Sequence, residues 1–262
     1  PVMRTLVRPL LLAGLLIGAP AWAQLRVVSC EPEWASLAEV LGGDDVKVKS
    51  ATTGLQDVHH IQARPSLIAS VRRADLLICT GAGLEAGWLP ILLRQAGNAR
   101  IQPGQPGFLE ASQHIEMLEV PVSVDRSQGD VHPYGNPHVQ TDPRNILPVA
   151  DTLVERLATL DPANADAYRS RHADFSARWT EAVDGWTTRG AALRGMAIVT
   201  HHKSWVYMVN WLDLDEVATL EPKPGIEPGA AHLARLLGSV DDTDDLFALY
   251  EVMLTTLEQY AP

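Results

Sequence analysis

Two cysteines in 262 residues are too few for a disulfide scaffold. Cys30 and Cys79 each end an apolar, strand-like run, Leu25 to Cys30 and Asp75 to Cys79. If those strands are parallel neighbours, both thiols lie at one edge, and an oxidising compartment permits one bridge. Two buried small hydrophobes are the other reading. Basic residues are also scarce, 21 against 32 acidic ones, for a formal charge of -11. That balance argues against nucleic acid and anionic membrane surfaces as partners and is compatible with a cationic ligand. Beyond the N-terminal segment no run is long and apolar enough for a transmembrane helix. The chain also lacks an H-E-x-x-H zinc-peptidase motif, a G-x-S-x-G elbow and a glycine-rich phosphate loop.

The first residues read as a processing signal. Arg4 and Arg8 form a basic start, Leu10 to Ile17 an apolar core, and Ala21-Trp22-Ala23 a cleavage site before Gln24. We therefore expect residues 1–23 to be a secretory signal peptide and the mature chain to act outside the cytoplasm. Cleavage would remove Arg4 and Arg8 and take the formal charge to -13. A mature chain of about 240 residues suffices for one large domain or two lobes.

From Gln24 to about Leu118 short strands alternate with helices. Leu25 to Cys30, Val46 to Ala51 and Asp75 to Cys79 read as strands, and Glu33 to Leu41 and Pro65 to Arg73 as helices. The nearly all-apolar third strand fits a parallel sheet buried on both faces, with helical crossovers. Glu31 and Glu33 read as a solvated helix start. Glu119 to Asn136 is a polar loop. Helix resumes after Asp142-Pro143 and breaks at Asp161-Pro162. About Ala163 to Arg189 then predicts one helix roughly 40 Å long. The grammar restarts with a strand at Met196 to Thr200, a helix through Trp205 and Val209, a strand at Val217 to Leu220, and helices at Ala230 to Leu237 and Leu246 to Leu257. The fold class is thus α/β, two lobes each with a parallel sheet flanked by helices, joined by one long rigid helix. The boundaries are 24–140 for the N-terminal lobe, 141–190 for the connecting helices and 191–262 for the C-terminal lobe, which is short after residue 237.

Three histidines stand where strands or turns hand over to helices: His59 in Asp57-Val58-His59-His60, His138 in Asn136-Pro137-His138-Val139, and His202 in Thr200-His201-His202-Lys203. Sites in open α/β folds lie at such handovers. One histidine at a strand end is usually a hydrogen-bonded structural residue, but three meeting at one point suit Zn²⁺. His60 and His201 should face away, since adjacent side chains on an extended segment point to opposite sides. His114, His172 and His232 carry no motif and read as surface residues. Three histidines plus water would also serve a secreted zinc-dependent hydrolase, given a positioned base.

Several motifs together resemble the cluster A-I solute-binding proteins of bacterial ABC transporters, most closely their zinc-specific group. The carriers are Asp57 to Ser66, Ala74 to Ile78 with Gly81, Asn136 to Val139 followed by Asp142-Pro143, Val199 to His202, and Asp244 to Tyr250. The resemblance runs from about Leu25 to the C-terminus and implies a periplasmic monomer that carries Zn²⁺ between two lobes to an inner-membrane permease. It further implies His59 and His138 as ligands from the first lobe and His202 from the second, with no enzymatic activity. A Mn²⁺ or Fe²⁺ cargo is the alternative within the family; histidine rather than glutamate at the third position favours zinc. Two departures stand out: Val58 replaces the usual proline, and the stretch between Leu237 and the closing helix is short where the family normally has a further strand and helix. The fourth ligand stays open among Asp241, Asp242 and water. His132 and Asp130 are the only remnants of the family's His- and acid-rich loop.

Overall fold

The structure, a computed structural model, describes residues 24–124, 129 and 131–240. The signal peptide, Asp241, Asp242 and the Leu246 to Leu257 helix lie outside the described residues.

The chain opens with β1 (Leu25–Ser29), α1 (Pro32–Gly42), β2 (Val46–Ser50), α2 (Pro65–Arg73), β3 (Leu76–Cys79), α3 (Leu89–Ala96) and β4 (Phe108–Glu110). The four strands form one parallel sheet in the order β2-β1-β3-β4. Strand periodicity sends alternate side chains to opposite faces. Leu25, Val27, Leu76 and Ile78 accordingly join the core under α1 and the later helices. Val28, Cys30, Leu77 and Cys79 join the core under α2 and α3. Both faces are covered at the centre of the sheet, which is why β3 is apolar and buried throughout, whereas edge strand β2 alternates valine with exposed Lys47 and Lys49.

Cys30 and Cys79 meet across the β1–β3 pair and form a disulfide with Cα atoms 4.7 Å apart. Parallel pairing brings both strand ends to the same edge, one of the two outcomes the sequence left open. Glu31 departs from expectation. It is not a solvated helix start but a buried residue, whose carboxylate accepts hydrogen bonds from the Thr80 amide (3.1 Å) and hydroxyl (3.0 Å).

The sequence reading placed no element between Cys79 and Glu119, where the structure has α3 and β4. The latter is only three residues long, and pairing with β3 defines it more than any local pattern. Gly107 just before it is required by a close approach: a Cβ there would lie 2.6 Å from the carbonyls of both Asp75 and Arg100.

After the loop come α4 (Ile146–Leu160) and α5 (Ala165–Gly190), a helix of 26 residues and about 39 Å. Tyr168 and Phe175 bury the early part of α5 against α1 and α4. Beyond them β5 (Ala197–Thr200), α6 (Val206–Leu212) and β6 (Asp215–Thr219) form a second, two-stranded parallel sheet with its helix, and α7 (Ala230–Val240) follows. The α/β class, parallel pairing and long helix are as the sequence predicts. Among the described residues no helix is long and apolar enough to cross a membrane.

Candidate metal centre

The three histidines arrive from different elements. His59 sits in the turn-rich stretch between β2 and α2. His138 precedes a short 3₁₀ turn, Val139–Thr141, and His202 follows β5. Their ring centroids lie 5.8 Å (His59–His138), 5.8 Å (His59–His202) and 5.3 Å (His138–His202) apart. One ring nitrogen from each falls within 4.8 Å of the others. Nitrogens bound tetrahedrally to zinc at about 2.0–2.1 Å stand about 3.4 Å from one another, so modest side-chain rotations would close the set.

Hydrogen bonding orients two of the rings. The Asp57 carboxylate accepts from the His59 amide (2.9 Å) and pairs with His59 Nδ1 (2.8 Å) and His60 Nδ1 (2.9 Å). The Glu221 carboxylate pairs with His202 Nδ1 at 2.7 Å. A carboxylate only accepts, so each Nδ1 carries the proton and each Nε2 keeps its lone pair for a cation. Buried Nε2 of His59 has no hydrogen-bond partner, and neither does that of His138. A buried, unsatisfied polar atom is costly and calls for an explanation. The His138 backbone is fixed by its own amide donating to Asn136 Oδ1 (3.0 Å) and by the Thr141 hydroxyl donating to its carbonyl (2.9 Å).

The electrostatics favour a neutral imidazole at His138. Burial, reinforced by His202, His59 and His132 nearby, lowers the His138 pKa to about 3. Burial works against the Asp57 carboxylate, but the His59 amide and the rings of His59 and His60 outweigh it and hold the group at about 2. Burial likewise opposes ionisation of Glu221, and His202 with the Gly225 amide reverses the balance and lowers its pKa.

The histidine doublets divide by exposure, His60 and His201 largely exposed and His59 and His202 turned inward, but not by strand alternation: both doublets lie in turns or bends, and both members of each engage one carboxylate, Asp57 or Glu221. His132, no more than a loop remnant in sequence, sets its ring 5.4 Å from that of His59, the planes tilted by 33°. With His138 and His202 it lines a cavity of about 130 Å³, whose wall also holds Glu119, Asn136 and Lys203. Sequence reasoning assigned no role to Asp57 or Glu221. Asp57 had a signal, since an Asp two residues before another often receives its amide in an Asx turn. Glu221 is 19 residues from His202 and had none.

Fold and donor set together define the class: an α/β binding protein with a cleft of inward-turned imidazoles suited to a cation. The chain belongs to the family described as the periplasmic component A of the zinc-uptake complex, whose model matches residues 27–252. It is a family of transporter binding proteins, not of enzymes. The high-affinity zinc uptake system protein ZnuA of Yersinia pestis is 24% identical over 190 residues, 68% of this chain and 60% of the relative. The manganese ABC transporter substrate-binding lipoprotein PsaA of Streptococcus pneumoniae is 23% identical over 156 residues, 58% of this chain and 47% of the relative. The chain thus spans less than two thirds of either relative. A crystal structure of ZnuA superposes with a TM-score of 0.70 at 24% identity, covering 84% of this chain and 79% of that one.

Proposed function

We propose that the protein is a periplasmic zinc-binding component that captures Zn²⁺ through His59, His138 and His202 and delivers it to an ABC permease. The lobes read in the sequence, 24–140 and 191–262 joined through 141–190, would meet around the ion, and the protein would act as a monomer. The observation that carries this reading is the set of three inward nitrogens, two on rings held by carboxylates and two buried without a partner. A bound cation would answer both features at once.

Zinc is favoured over manganese because the donors are nitrogen, and nitrogen-rich sites bind zinc far more tightly. The relatives named for manganese make that preference worth measuring. A hydrolase would need a free base beside the ion. Among the described residues, the carboxylates beside the imidazoles, Asp57 and Glu221, are already engaged by them.

Titration calorimetry with Zn²⁺ and Mn²⁺ tests the proposal. Zinc should bind one to one and displace manganese, His138→Ala should abolish high-affinity binding, and His114→Ala should match wild type. Equal curves for the two variants would overturn the ligand assignment, and tighter manganese binding the cargo.

A further inference from the structure

Glu119 is one of three non-glycine residues with positive φ among those described, at 52°. Such a backbone persists only where its surroundings over-determine it, and it concentrates at functional sites. Here the preceding residue is clamped on both sides. The Leu118 amide donates to the Tyr207 hydroxyl (3.1 Å), and the Leu118 carbonyl accepts from the Asn136 amide (2.8 Å). Gly135 permits that approach; a Cβ there would lie 2.8 Å from the Leu118 carbonyl. Glu119 lines the cavity with His138 and His202, and its carboxylate receives Lys203 Nζ (2.6 Å) and Asn136 Nδ2 (3.3 Å); it stands outside the three-histidine donor set, so to reach the ion it must leave Lys203 and rotate.

Lys203 is an odd neighbour for a cation site. It follows His202 directly, and its ammonium shares the cavity with the imidazoles. Three neutral imidazoles leave a dication its full charge, so an ammonium nearby repels it and a carboxylate nearby attracts it. Lys203 has a second carboxylate within reach. Glu216 Oε2 lies 3.9 Å from Nζ, while Glu216 Oε1 already accepts the Thr200 hydroxyl at 2.6 Å. The ammonium therefore stands between two acceptors, one on the cavity wall and one on β6.

We propose that Glu119 is a carboxylate ligand of the captured cation, and that it exchanges Lys203 for the ion while Lys203 passes to Glu216. This rests on the three-histidine reading above. No bond is made or broken other than ion pairs and coordination: one cation leaves the Glu119 carboxylate as another takes its place.

Competition titration of the full chain with Zn²⁺ against a fluorescent chelator tests the exchange in wild type, Glu119→Gln, Lys203→Met and Glu216→Gln. Glu119→Gln should weaken zinc binding by about tenfold or more. Lys203→Met should tighten it, because the repelling charge is gone and the carboxylate is free. Glu216→Gln should weaken it, because the ammonium loses its alternative partner. A purely structural latch predicts otherwise, with Glu119→Gln and Lys203→Met weakening binding alike. Wild-type affinity in Glu119→Gln, or failure of Lys203→Met to tighten binding, would overturn the exchange alone. A wild-type protein that binds no zinc would overturn the histidine site and the exchange together. Melting curves of the ion-free variants identify any that fail to fold, and the remaining charge variants still decide the sign.

Discussion

Burial gives single residues here properties their sequence positions do not announce. His138 stays neutral to about pH 3, whereas an exposed histidine protonates near 6.5. As pH falls through 6.5 the unfolded chain takes up a proton that the folded chain refuses, so stability falls with pH until about 3. The slope from this group is at most about 1.4 kcal/mol per pH unit. Thermal melts of the ion-free protein between pH 4 and 7 should show that loss, and His138→Ala should flatten it; parallel profiles would contradict the neutral-imidazole assignment. Glu31 acts in the opposite sense. Burial first, then the adjoining Glu85 carboxylate, raises its pKa well above 4.5, so the folded chain keeps a proton that the unfolded chain releases as pH rises. Glu31→Gln supplies a permanent donor toward Glu85 and still accepts from Thr80. It should raise the stability at pH 8 by about 1 kcal/mol, or about 3 °C in Tm, with a smaller gain at pH 5. A lower Tm at pH 8 would show that Glu31 is ionised.

Elements, rather than residues, explain why distant histidines converge. Parallel pairing of β1, β2 and β3 brings the segments after each strand to one edge, and the His59 loop follows β2 there. Trp88, buried ahead of α3, fixes that loop by donating Nε1–H to the Val58 carbonyl at 2.7 Å. The same edge carries the Cys30–Cys79 disulfide, which closes a 49-residue separation. Its reduction should lower the stability by about 4 kcal/mol on the chain-entropy account. Scanning calorimetry with and without a thiol reductant reads this directly, and an unchanged Tm would mean the bridge constrains nothing. The strands and helices around this edge were legible because buried parallel strands are continuous apolar runs and their helices keep a 3.6-residue period. Three-residue β4 was not, since pairing with β3 and the Gly107 approach define it. The inward histidines were legible from their handover positions. Glu221 was not, because it meets His202 only once β5 and β6 pair, and neither was the Glu119–Lys203 contact, which arises only where the second half meets the first.

For the whole molecule, the cavity lies where the two sheets' loops meet, and few contacts hold that junction. Tyr207 of α6 donates its hydroxyl to the Asn136 carbonyl (2.8 Å), Asn136 Nδ2 donates to the Lys203 carbonyl (2.7 Å), and Lys203 pairs with Glu119. These bonds join the segments around Glu119 and His138 to the segment around His202. The chain's formal charge of -11 is compatible with a cationic ligand. The central claim is that His59, His138 and His202 share one ion. X-ray absorption at the zinc edge of the zinc-loaded protein tests it most directly. Three imidazole nitrogens at about 2.0–2.1 Å, falling in number when His138 is replaced by alanine, are the predicted result. An oxygen-only shell, or a wild-type spectrum in that variant, would contradict it.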